Sequence, residues 1–158
     1  MGDKRTWPVW MKVEIGTHNN MASLLDVMSP FDSSIVVAAK ANELLLDTPI
    51  SRLRKRLQLA MVPPEVLDLP QYPNMRDVIA AGEKQGLVRC PGEVGPQLRR
   101  QYMNQPIGEF LNIVMTPIED YRRVFRFFRI CNDAGILILA GDIAISLGDN
   151  TKFVFVIP

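Results

Sequence analysis

Two glutamates, Glu93 and Glu109, share one stretch of the chain with the adjacent arginines Arg99 and Arg100 and with Tyr102. Paired carboxylates are the material of general acid–base catalysis, and neighbouring guanidiniums can hold an anionic substrate. That chemistry needs both acids to converge on one cleft with separated pKa values, and spacing along the chain does not show convergence. The stretch holds no histidine, no glycine-rich phosphate loop, and no nucleophile with a base at a recognisable offset. The chain's one histidine, His18, lies in Gly16-Thr17-His18-Asn19-Asn20, a setting for a turn or a cap, and a lone histidine excludes a multi-histidine metal site. Cys90 precedes Pro91 with no base beside it, and Cys90 and Cys131 lack metal-ligand spacing. The residues therefore point away from an enzyme: no catalytic set, no metal and no cofactor are expected.

A structural reading accounts for more of the same residues. Residues 90–118 pack four prolines and three glycines among apolar positions. Pro91-Gly92 reads as a turn. Gly95-Pro96 starts a short helix over residues 97–102, because proline is pre-organised for a first turn. Leu98 and Tyr102, four apart, share its face. Glu93 is placed to face the positive helix end, and Arg99 or Arg100 to bond loop carbonyls.

The elements that must position these residues follow from periodicity. Residues 10–15 alternate as a half-buried strand. Asn19 or Asn20 caps a helix over residues 21–28. Asp32, Ser33 and Ser34 offer a second cap, for a helix over residues 35–46 that Asp47-Thr48-Pro49 stops. Residues 56–62 form a strand, a proline-rich connection covers 63–73, and Asn74 caps a helix that runs to Gln85 and stops at Gly86. From Gly108 the pattern is β: strands over 110–115, 123–130, 136–139 and 152–157, with Asn132-Asp133-Ala134-Gly135 as a hairpin turn. The expected class is α+β: an N-terminal strand and two to three helices packed on a mainly antiparallel sheet of about five strands. One domain is expected over residues 1–158, helix-rich in 1–107 and β-rich in 108–158.

Composition bounds the partners. The 158 residues are 47% hydrophobic and 22% charged with a net charge of +1, enough for a core and too balanced to make nucleic acid the default partner. The opening MGDKRTWPVW lacks the apolar segment of a signal peptide, and no apolar run approaches a membrane span. With so few cysteines the expected compartment is the cytoplasm. An open antiparallel edge leaves room for a homo-oligomer.

The stretch CPGEVGPQLRRQYMNQPIGEFLNIVMTPI is similar to a recurrent core, EVGPQLRxQYxxQPxGExLxIxMxPI, in a family of small bacterial proteins with no assigned activity. An opening strand ending in Gly16-Thr17, Asp77 ahead of the core, a Val124-Phe125 strand and a closing Phe153-Val154-Phe155-Val156 extend the likeness over most of the chain. Some such proteins resemble the variable proteins of diversity-generating retroelements, whose ligand-contacting positions are randomised at adenines. Every residue type over 136–151 can arise from an asparagine codon by changing its adenines; Glu, Gln, Met, Trp and Lys, which cannot, are absent. The tail departs from the pattern in being rich in Ile and Leu, without the Trp and Tyr of a recognition surface. The basic segment 51–62 is also outside it.

The resemblance implies a non-enzymatic binding or display module for an unknown protein or small ligand. A constant core would present residues 135–150. Asp142, Ser146, Asp149 and Asn150 would supply polar contacts, and Ile136, Ile138, Ile143 and Ile145 apolar ones. The plainer alternative is a buried hairpin. A different reading makes the chain a nucleic-acid-binding protein using the basic-aromatic strand 121–130, in which Arg122, Arg123, Arg126 and Arg129 interleave with Phe125, Phe127 and Phe128, with Arg52, Arg54, Lys55 and Arg56 as a second basic cluster. Period-2 alternation yields a solvated polar face there without any ligand, and that reading is preferred.

Overall fold

The alternation at the N-terminus makes Met11–Ile15 a strand, β1. Asn20 accepts a hydrogen bond from the Ser23 amide and starts helix α1, Met21–Val27. Two elements follow where one helix was expected. Ile35–Val37 is a short strand, β2, and helix α2 begins only at Ala39–Leu46. Three consecutive β-branched residues resist a helix's first turn and suit a pleat. These coordinates are a computed structural model, which describes residues 5–28, 34–148 and 150–158; the cap read at Asp32 and Ser33 lies outside the described residues.

Strand β3 spans Lys55–Val62. A short 3-10 turn, Pro64–Val66, opens the proline-rich connection, and Gln85 Nε2 ties it down by donating to the Val66 carbonyl. Helix α3, Met75–Lys84, starts in a full capping box: Asn74 Oδ1 accepts from the Asp77 amide while Asp77 accepts from the Asn74 amide. Gly86 takes the left-handed conformation beyond its end. Helix α4 spans Val94–Gln101, starting ahead of Pro96 rather than at it. The strands β4 (Phe110–Ile113), β5 (Ile118–Glu119), β6 (Phe125–Asp133), β7 (Ile136–Asp142) and β8 (Thr151–Val156) complete the chain. Ala134 and Gly135, both at positive φ, make the two-residue β6–β7 turn.

The expectation of a mainly antiparallel sheet of about five strands is overturned. The chain forms one curled, mixed sheet of eight strands, a half-barrel, ordered β1-β3-β8-β4-β6-β7-β2, with β5 beside β6. Two of its pairings are parallel, β4 with β8 and β2 with β7. Alternation identifies a strand but not its neighbour, and parallel neighbours are far apart in sequence. Thus Leu59 of β3 sits opposite Val156 of β8, and Leu111 opposite Lys152. Strands from both halves of the chain are interleaved.

Helices cover both faces. Phe128, Ile130, Leu137 and Leu139 share one face by register, and α2 and α4 contact β6 and β7. A Cβ on Gly95 would come within 2.5 Å of the Phe128 ring, and one on Gly141 within 3.1 Å of the Lys40 backbone, so both helices lie almost on the sheet. Phe153 and Phe155 point to the opposite face, where α3 rests Gly82 on the Phe155 ring.

Candidate functional site

The residues suited to catalysis are brought together in two separate buried groups. Glu93, at the start of α4, accepts from the Gly16 amide (2.6 Å), the Ser51 amide (2.7 Å) and Gln97 Nε2 (3.0 Å). It pins two loops to the helix instead of capping it, since no cap bond forms at that end. Arg99, fully buried, donates to the Tyr102 carbonyl at 2.6 Å, the Cys131 carbonyl at 3.0 Å and Gln105 Oε1. Its Nε finds no hydrogen-bond acceptor among the described residues. Burial pushes its guanidinium down to about 10, against the pull of Cys131, Tyr102 and Glu109. Glu109 accepts from Tyr102 Oη at 3.0 Å and from Gln105 Nε2. Burial, then the Glu109 charge and hydrogen bond, raise Tyr102 to about 12. Neither group walls any of four hollows that open on the fold's surface. A buried, carbonyl-bound guanidinium braces the backbone around it.

The basic-aromatic strand does not present one face. Arg126 lies on the Phe128 side of β6 and pairs with Asp120 at 3.0 Å. Arg129 lies on the other side, with Nε 2.7 Å from Asp142 Oδ2 in an ion pair whose N–H is not aimed squarely at the oxygen. Its guanidinium also covers the Phe110 ring. Arg122 and Arg123 are exposed in the β5–β6 turn, Arg122 against Tyr121. In the second cluster, Arg54 and Arg56 both hold Glu14.

Residues 135–150 divide. Leu137 and Leu139 are core. Ile136 is exposed and Ile138 half-buried on β7, and neither walls a hollow described here. Asp142 is held by Arg129, and Asn150, at positive φ, donates to the Gly108 carbonyl. Asp149 lies outside the described residues. Ile143 (61% exposed), Ile145, Ser146 and Leu147 belong to the 143–148 connection, with Ile145 packed on the core and Ser146 in solvent.

That connection runs beside the proline-rich one, and three adjoining hollows open around it. The largest, about 700 Å³, is walled by Met75, Arg76 and Ile79 of α3, Phe125 and Phe127 of β6, and Ile143. The period of each element explains the wall: Met75 and Ile79 are four apart on a helix, and Phe125 and Phe127 two apart on a strand. A second, of about 490 Å³, lies between Tyr72-Pro73 and residues 143–147, sharing Asn74, Met75 and Ile143 with the first. A third, of about 540 Å³, runs between the proline-rich residues and Leu147. Tyr72 (86% exposed), Phe125 (58%) and Leu147 (43%) crown this crevice with Ile143. Of the contact residues read from sequence, Ile143 and Ile145 wall the hollow beside Tyr72 and Asn150 the third. Tyr72, Met75, Arg76 and Leu147 were missed, because nothing in their types announces that residues 71–76 and 143–147 are neighbours, and Phe125 was read only as part of the basic-aromatic strand.

No family model, curated protein or solved structure matches the chain. Among the described residues no helix is long and apolar enough to cross a membrane, and no cluster of three or more metal-binding side chains forms.

Proposed function

We propose that the chain is a non-enzymatic binding module that meets its ligand at the crevice between residues 71–76 and 143–147. One observation carries the reading: four large apolar side chains, Tyr72, Phe125, Ile143 and Leu147, stand exposed around one continuous set of hollows. A contiguous apolar patch on a monomer is a mark of a contact site, whereas scattered ones are not. The tail supplies one lip and the rigid α3 start the other. Any diversification would fall on the 143–148 connection, since a polar residue at Leu137 or Leu139 would open the core. A near-identical template copy and a reverse transcriptase beside the coding region would be its signature. Two buried, unpaired thiols, Cys90 and Cys131, support residence in the cytoplasm.

The test is binding of the uncharged apolar dye Nile red, read by fluorescence. The native chain is expected to enhance its emission saturably. Ile143→Asp should weaken this about tenfold or more, the effect expected of a charge placed in a desolvated contact. Ile136→Asp, also exposed but outside the crevice, should leave it unchanged. Equal loss in both variants, or in neither, overturns the reading.

A further inference from the structure

Resting on that reading, we infer that the α3 end of the crevice takes a small amphiphilic anion, a carboxylate or sulfonate on an alkyl or aromatic body. The wall there is apolar apart from Asn74, Arg76, Arg89 and Thr116, and it contains no carboxylate. Carboxylates in the same part of the fold stand outside it. Glu83 holds Arg89 at 3.2 Å, Asp142 holds Arg129, and Glu119 lies across from Phe125 in the β5–β6 register. Arg76 is exposed in the first turn of α3 and meets no acceptor among the described residues. Asp77, beside it, is spent on the capping box. Arg89 Nη1 donates to Thr116 Oγ1 at 3.1 Å, which leaves the threonine hydroxyl its own proton to donate. One uncommitted guanidinium, Arg76, and the Thr116 hydroxyl thus stand on the wall of a hollow whose buried lining is Phe127, Met75 and Ile79, with Arg89 beside them already paired to Glu83.

Size and charge together select the occupant. A hollow of about 700 Å³ is in the range of small-molecule sites. The apolar body would shed water against Phe127, Ile79 and Met75, and the head would stay at the rim with Arg76. A cationic amphiphile meets repulsion at the same rim, and a neutral one gains nothing there. Because the arginines are solvent-exposed, the charge preference is modest: about fivefold, the ceiling for an exposed ion pair.

The experiment displaces Nile red with dodecanoate, dodecan-1-ol and dodecyltrimethylammonium. Dodecanoate is expected to displace it at a concentration about fivefold lower than the alcohol, and the cation to be weakest. Arg76→Gln, at an exposed helical position, should close the gap between acid and alcohol, and added salt should narrow it in the native chain. If the alcohol displaces as well as dodecanoate, the crevice is an apolar site indifferent to charge: the anion inference is overturned and the binding reading stands. If Ile143-dependent dye binding is seen but no amphiphile displaces it, the inference is again overturned. Failure of the dye to bind at all removes the binding reading and the inference with it.

Discussion

Arg99 shows how a residue type that suggests chemistry can serve the backbone. Three acceptors from different parts of the fold, the Tyr102 and Cys131 carbonyls and Gln105 Oε1, converge on one guanidinium. A lysine has the charge but not the planar fork, so Arg99→Lys leaves buried acceptors unpaired. The expected cost is about 3 kcal/mol, read as a lower urea midpoint at unchanged slope. At this scale the sequence was informative about role: arginines bonding loop carbonyls were expected in residues 90–118. It was silent about which arginine. Arg100, one position on, is left to Gln97 Oε1 near the surface. The helical rotation of about 100° per residue separates the two, and the depth of α4 on the sheet decides which is buried.

At the scale of elements, β1 is an edge strand that the chain guards with a side chain. Gln101 Oε1 accepts from the Glu14 amide at 3.0 Å, and Gln101 Nε2 donates to the Glu14 carbonyl at 2.9 Å. A side-chain amide thereby takes the place of the next strand, and Glu93 fills the Gly16 amide beside it. Gln101→Ala is expected to expose this pair of groups and promote edge-to-edge association. Light scattering coupled to gel filtration, as a function of concentration, would show it; a variant as monodisperse as the parent would reject this role. Periodicity made β1, β3, β6, β7 and β8 legible, and the Asn74 and Asn20 caps fixed two helix starts. It failed at residues 35–37, where a three-residue strand is too short to show its period. It failed also at Ile118–Glu119, which is a strand only because β6 passes alongside.

For the whole molecule, stability against pH follows from groups spread over the fold. Glu14 is held below its ordinary 4.5 by hydrogen bonds from Arg54 and Arg56, and Asp120 below 3.8, chiefly by the Val124 amide. Depressed carboxylates add stability above their unfolded values that disappears as pH falls through the folded ones. Tyr102, raised to about 12, adds stability that is complete below 10 and lost as pH climbs from there to about 12. The buried Cys90 thiol, pushed up by desolvation, acts in the same direction. Arg99 opposes them: its charged form is disfavoured in the fold, and that cost is relieved above about 10. Urea midpoints should therefore be flat through neutrality, fall on the acid side below about 4.5, and fall again on the alkaline side. Tyr102→Phe should remove the tyrosinate absorbance step near 12 and soften the alkaline loss. An alkaline fall unaltered in that variant would show that Tyr102 is not its cause.

By itself the sequence determined most of the local structure: where strands alternate, where asparagine opens a helix, and where glycine reverses the chain. These depend on neighbours a few residues apart, and each side chain carries the information. It determined too that the proline-laden middle has a shape to hold. Only the tertiary structure decided that β8 enters between β3 and β4, and that helices cover both sheet faces. It also decided that the proline-rich connection and the 143–148 connection are the two lips of one crevice. Those are agreements between surfaces distant along the chain, so Tyr72 and Ile143 can be read as partners only once the sheet has curled.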